Sequence, residues 1–407
     1  MGLPSLFHEV SRHQRGDDGG GGHMITMSVV KACGGGLIGH ASVHPDMIAA
    51  ARQEVAAAVS ADLLVDGYVA DLDDDIALIL THTEGPDSRP VHSCAWTTVQ
   101  RTVSVAKELG LYAAGGEMLP DAFSENLRGM GPAFVEVEFD ERPVESVVCL
   151  LADRTEPGAW NLPLCRSFAD PFTTAGLVAD QKMRAGFGFE VYDLWEDRRI
   201  VFDCPADLYD LLACVSAPAR YAVHHVRSKT LGIPAAATGT QRLPLVAGGY
   251  GGTEDPLMIV RCESGLPSVG EVLEPFAFPY SVAGAVCGSH HAPYVPVAAG
   301  QPGPSRFGGA PRVVALGFQI RGGRLIGPRD LFADAAFHPA RARAGEVLEY
   351  FRRHGPFEPH RLGSQDSSYP TGTPVPRRLA HRWTPVAAEP PATRQPTAES
   401  EDEHAQP

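Results

Sequence analysis

Asp71-Leu72-Asp73-Asp74-Asp75-Ile76-Ala77-Leu78-Ile79-Leu80 joins a crowded acidic turn to a short apolar run. A run of this length beside a turn reads as a buried strand. Carboxylates packed this closely repel one another unless water or a cation relieves them. Hard divalent cations such as Mg²⁺ favour carboxylate oxygens, so the turn is a candidate cation site. The competing reading is a solvated acidic loop.

Outward from this point the chain reads as mixed α/β. Short apolar or alternating strands are predicted at Ile25–Val30, Phe134–Phe139, Ser146–Leu151, Leu257–Arg261 and Val313–Ile320. Phe187–Leu194 and Arg199–Phe202 read as a hairpin around a charged loop. Helical spacing appears over Pro45–Ala61, with Met47, Ala50, Val55 and Val59 on one side, and over Thr98–Leu109, ended by Gly110. Ala206–Val215 and Arg341–His354 are further helices, the last with a basic final turn that suits the helix dipole. No linker breaks the chain between about residues 25 and 362, so one large domain over 25–370 is the simplest organisation. Residues 1–24, with the glycine run Gly19–Gly22, and residues 371–407, rich in Pro and Glu, have compositions that build no core and are expected to be disordered.

Composition narrows the function. Of 407 residues, 44% are hydrophobic, the proportion of an ordinary globular protein. The sequence has no apolar run long enough to span a bilayer and no secretion signal, so a cytoplasmic protein with no membrane partner is expected. A net charge of -15 argues against nucleic acid, whose phosphates need a basic surface. Phosphorylated small molecules remain open, because metal cations can sit between the two sets of negative charges. The eight cysteines lack C-x-x-C spacing and read as buried thiols.

Three further stretches carry chemistry. Gly39-His40 follows the triple glycine Gly34–Gly36, where backbone can approach a ligand closely. Asp153-Arg154 follows an apolar strand; Asp153 is a candidate metal ligand and Arg154 a candidate phosphate fork, against the alternative of a surface ion pair. Gly248 to Pro256 is a glycine-rich loop carrying Tyr250, Glu254 and Asp255.

Several long strings together resemble the archaeal and bacterial fructose-1,6-bisphosphate aldolase/phosphatase family. Among them are Gly39-His40-Ala41-Ser42-Val43-His44-Pro45, Gly129-Met130-Gly131-Pro132, Ala169-Asp170-Pro171-Phe172 and Arg353-His354-Gly355-Pro356-Phe357-Glu358-Pro359-His360-Arg361. The resemblance implies a four-layer α-β-β-α sandwich, assembled as a homo-octamer. It also implies two reactions in one pocket: an aldol condensation through a lysine Schiff base, and a Mg²⁺-dependent removal of phosphate. Carried over by position, the metal set is His40, Asp74, Asp75, Asp153 and Asp255. Tyr250, Asp255 and Glu254 fall at catalytic positions, and Tyr112, Arg154, Tyr369 and Glu263 at substrate-binding ones.

Departures from the family pattern matter as much. The Schiff-base lysine falls at Thr253, which cannot form an imine. A metal-binding aspartate falls at Cys33, whose thiolate suits Zn²⁺ better than Mg²⁺, so Mn²⁺ and Zn²⁺ join Mg²⁺ as candidate ions. A metal-site glutamine falls at Gly116, a substrate-site glutamine at Glu263, an arginine at Cys287 and an aspartate at Gly308. The expectation is a metal-dependent phosphatase of a sugar phosphate or related metabolite, without aldolase activity and with no amine nearby to attack a carbonyl. The alternatives are a repurposed lyase, dehydratase or isomerase of a specialised biosynthetic pathway, and a non-catalytic binder of phosphorylated metabolites.

Overall fold

The computed structural model describes residues 24–39, 41–115, 131–152, 155, 157–218, 220–239, 241–244, 257–279, 281–286, 290–301, 311–354 and 378–386. Strands and helices mix along the chain, as read from the sequence. In order, the strands are β1 (Met24–Cys33), β2 (Asp66–Leu72), β3 (Asp75–His82), β4 (Ala133–Asp140), β5 (Glu145–Ala152), β6 (Phe187–Asp193), β7 (Arg198–Asp203), β8 (Tyr221–Ser228), β9 (Pro234–Thr238), β10 (Gln241–Arg242), β11 (Leu257–Cys262), β12 (Ser281–Val286), β13 (His290–Pro293), β14 (Val295–Pro296), β15 (Arg312–Arg321), β16 (Arg324–Asp330) and β17 (Thr384–Pro385). They form a five-stranded sheet ordered β10-β4-β1-β3-β2 and a ten-stranded sheet ordered β14-β15-β5-β11-β9-β8-β6-β7-β17, with β16 pairing β15. β12 and β13 pair separately.

Strand alternation decides what each face meets. On β5, Val147, Cys149 and Leu151 pack with Ile25, Met27, Ala77 and Ile79 of the five-stranded sheet. The intervening Val148, Leu150 and Ala152 pack with Leu164 and Phe168 of the helix Asn161–Ala169 and Phe276 of the helix Val269–Ala277. The outer side of the five-stranded sheet, through Val30, Ile76 and Leu78, covers α1 (Pro45–Ser60) and α2 (Arg89–Glu108).

α1 matches its predicted span to within a residue and buries Met47, Ala50 and Val55 as expected. α2 begins at Arg89 rather than Thr98. Pro90 in the first turn costs no hydrogen bond there, and Val91, Ala95 and Val99 continue the buried stripe upstream. Gly110 ends it at φ 63°, with Gly110 N–H on Lys107 O and Leu111 N–H on Ala106 O, the paired bonds of a Schellman motif. β2, β8 and β9 have no counterpart in the predicted strands; pairing rather than apolar pattern makes them.

Two polar networks are sealed into the sheets. Glu136 of β4 accepts from Ser28 of β1 and Asp87 N–H, and faces His82 at 3.5 Å and His92 at 3.8 Å. Burial alone would raise its carboxyl; those partners outweigh it and hold it at about 2. Glu145, at the start of β5, takes Arg261 at 2.6 Å and Arg142 at 2.7 Å. Among the described residues the cysteines are free thiols, Cys94 partly buried and the rest buried. No helix of the described residues is long and apolar enough to cross a membrane.

Candidate active site

The acidic turn is not a solvated loop. Asp71 and Leu72 end β2, Asp73 and Asp74 make a two-residue hairpin turn, and Asp75 opens β3 opposite Leu72. Asp73 takes φ 56°, which the turn needs and which aspartate tolerates better than most residues. Asp73, Asp74 and Asp75 are 3%, 4% and 6% exposed. Burial at this level makes each charge expensive unless a cation or hydrogen bond answers it.

The answers come from other strands. β1 lies beside β3 with Cys33 opposite Asp75, and the Cys33 thiol donates to Asp74 Oδ2 at 3.2 Å. Two residues earlier on the same strand, and so on the same face, the Lys31 ammonium pairs with Asp75 Oδ2. The Arg312 guanidinium, at the start of β15, pairs with Asp73 and thereby ties the turn to the ten-stranded sheet. Burial pulls Arg312 down to about 10, still charged at neutral pH. Asp71 sits apart from the three; burial raises its carboxyl, partly opposed by Arg52.

Cys33, Asp74 and Asp75 each offer one ligand atom, and these atoms all lie within 4.8 Å of one another. The glycines after Cys33 close the group from one side. A Cβ on Gly36 would fall 1.7 Å from Gly39 O and 3.3 Å from Asp74 Cβ, so only glycine lets the backbone pass there. Gly36 and Tyr112 exchange backbone hydrogen bonds of 3.0 and 3.2 Å, which bring the exposed Tyr112 to the rim.

Of the positions expected from sequence, the structure thus brings together Asp74, Asp75 and Cys33, with the backbone of Tyr112 paired to Gly36 next to them. His40, Asp153, Arg154, Tyr250, Glu254, Asp255 and Tyr369 lie outside the described residues, as do Gly116, Thr253, Cys287 and Gly308. Ala152, next to Asp153, pairs with Val313 of β15, one residue beyond Arg312. Leu257, which opens β11, pairs with Leu151. Both stand at the end of the ten-stranded sheet to which the Asp73–Arg312 pair fastens the acidic turn. Glu263 is elsewhere. It follows the last residue of β11, six residues and ~20 Å along the chain from Leu257. Its Oε1 accepts Val269 N–H at 3.1 Å, at the start of the helix Val269–Ala277.

Lys31 and Arg312 went unremarked in the sequence as site residues, and Asp73, read there as part of the candidate cation turn, instead pairs with Arg312. A lysine inside an apolar strand, two residues from Cys33, was the available signal. Lys31 does bring an amine to the acidic turn, but at 2% exposure and engaged by Asp75.

Comparison with known proteins gives this geometry a context. The family described as Fructose-1,6-bisphosphatase matches residues 24–384. A protein of Moorella thermoacetica called fructose-1,6-bisphosphate aldolase/phosphatase is 52% identical over 365 residues, covering 90% of this chain and 96% of its own. Proteins of the same name from Ignicoccus hospitalis and Thermococcus kodakarensis are 52% and 50% identical, over 89% and 90% of this chain and 93% and 99% of theirs. With such likeness along nearly its whole folded length, the chain belongs to the fructose-1,6-bisphosphate aldolase/phosphatase family.

Proposed function

We propose that this protein is a divalent-metal-dependent phosphatase of a sugar phosphate, and that it lacks Schiff-base aldolase chemistry. The observation that carries the first part is the buried group of Cys33, Asp74 and Asp75 with converging ligand atoms. Two carboxylates this deeply buried suit a divalent cation, and the thiol in the third position shifts the preference toward Mn²⁺ or Zn²⁺. His40, Asp153 and Asp255 would complete the donor set. When bound, the ion polarises a phosphoryl oxygen and lowers the pKa of a coordinated water.

The chain's own residues would do the rest. Lys31 offsets the charge of Asp75 beside Asp74. Asp73 and Arg312 hold the turn in place from outside the donor set. Arg154 would fork onto the phosphate, Tyr112 and Tyr369 would line the sugar, and Tyr250 with Glu254 would serve proton transfer. The three apolar clusters support a four-layer α-β-β-α arrangement for the scaffold. Assembly as a homo-octamer in the cytoplasm belongs to the same proposal and is read by light scattering.

The second part rests on Thr253, which has no amine, and on the engagement of Lys31 with Asp75. An imine needs a free, reachable amine, and the Lys31 nitrogen is buried and engaged by Asp75. The relatives carry both activities in their name, so the two are tested separately. Phosphate release from fructose 1,6-bisphosphate and a sugar-phosphate panel is measured with Mg²⁺, Mn²⁺ and Zn²⁺; release under none of them sinks the phosphatase. Borohydride is then added with dihydroxyacetone phosphate and the intact mass read. A trapped adduct on any lysine sinks the aldolase-negative reading.

A further inference from the structure

A second cluster of metal-ligating side chains lies on different strands from the acidic turn. Glu190 of β6 pairs with His225 of β8, and His225 pairs in turn with Ala237 of β9. Cross-strand partners share a face, and Ala237 packs in the core between the two sheets. Glu190 and His225 therefore point to that side of the ten-stranded sheet. The register then slips: Glu190 faces His225 but Val191 faces Val223, which leaves His224 as the extra residue of a β-bulge.

A bulge lets two consecutive side chains reach one side of a strand. The His224 and His225 rings meet edge to face with centroids 4.1 Å apart, and Tyr192 lies against His224 at 4.2 Å. Glu190, His224 and His225 each offer a ligand atom, all within 4.8 Å of one another, and all three residues are half-buried. The backbone of Thr238 hydrogen-bonds His224 and that of Glu136 hydrogen-bonds His225. A second partner of this kind orients an imidazole and fixes its tautomer, as in established histidine metal sites.

We propose that Glu190, His224 and His225 form a transition-metal site, separate from the acidic one, that takes Zn²⁺. Two imidazoles and one carboxylate are borderline donors that suit Zn²⁺ and disfavour Mg²⁺. Three protein ligands leave the fourth position to water. The Arg199 guanidinium, 3.4 Å from Glu190 Oε1 and 46% exposed, must swing away as the ion enters. The bound ion cross-links β6 to β8 at the bulge.

The test uses the full-length chain without an affinity tag, stripped with chelator and dialysed. Zn²⁺ is titrated calorimetrically into the wild type, the double variant His224→Ala/His225→Ala and the double variant Asp74→Asn/Asp75→Asn. The wild type should bind one more Zn²⁺ per chain than the histidine variant, and the aspartate variant should keep that ion. Cu²⁺ substituted into the wild type and the aspartate variant should show nitrogen hyperfine coupling from two imidazoles, absent in the histidine variant. Equal Zn²⁺ stoichiometry in the wild type and the histidine variant overturns the proposal, as does a Cu²⁺ spectrum without the two couplings. Should the histidine variant unfold, Glu190→Gln keeps the size and removes one ligand. About tenfold weaker Zn²⁺ binding there supports the site, and unchanged binding overturns it.

Discussion

Replacing Lys31 by methionine tests the electrostatics of the acidic site through stability, without recourse to turnover. The Lys31 and Asp75 side chains are 1% and 8% exposed, so their pairing takes place away from water. Removing the ammonium leaves Asp75 beside Asp74 with its nearest neutralising charge gone. Breaking a buried ion pair from one side costs about 3–5 kcal/mol, because the remaining charge keeps its desolvation penalty. If the roughly 360 residues that match the family unfold together, the unfolding entropy is ~0.75 kcal/mol/K and the cost corresponds to a thermal midpoint lower by ~4–7 °C. A divalent ion should restore much of that loss, since it supplies at the same carboxylates the positive charge that lysine supplied. Lys31→Met and the wild type are melted by differential scanning calorimetry in chelator and in Mn²⁺. The expected pattern is a large gap in chelator that narrows in Mn²⁺. An equal gap in both media refutes the idea that ammonium and metal ion answer the same charge.

Three more outcomes follow from the same structure. Cys33→Asp should shift the ion preference from Zn²⁺ toward Mg²⁺, read as the ratio of the two affinities by calorimetry, because a hard oxygen replaces a soft sulfur opposite Asp75. Glu136, held at about 2 against an ordinary 4.5, contributes ~3 kcal/mol that is present above pH 4.5 and lost as pH falls toward 2. Urea unfolding of Glu136→Gln should show a flatter pH dependence than the wild type across that window; parallel slopes would count against it. Arg261→Met leaves Glu145 buried with Arg142 as its remaining cationic partner, and should destabilise the fold by about 3 kcal/mol in urea unfolding.

Local pattern was enough for much of this protein. Apolar runs marked β1, β3, β5, β11 and β15, because strands buried on both faces need no alternation to be seen. Helical spacing and Gly110 marked the end of α2, where backbone geometry itself demands glycine. Strands β2, β8 and β9 escaped notice because each carries glycine, charge or small residues that gain strand structure from their neighbours' hydrogen bonds. The acidic run was visible as a run of charges, but whether it was solvent-exposed or sealed was not. Lys31, in β1, and Arg312, in β15, settle that, and nothing local to the turn points to either.

The sequence by itself determined the family, the mixed α/β character and the donor types near residues 71–75, since these depend on residue identity and short-range spacing. Tertiary structure alone decided that Cys33, Asp74 and Asp75 converge, that an amine stands among them, and that a bulge turns His224 and His225 to one side beside Glu190. The physical reason is common to all three. Strand pairing brings together side chains far apart in the chain, and a register slip of one residue changes which face they share.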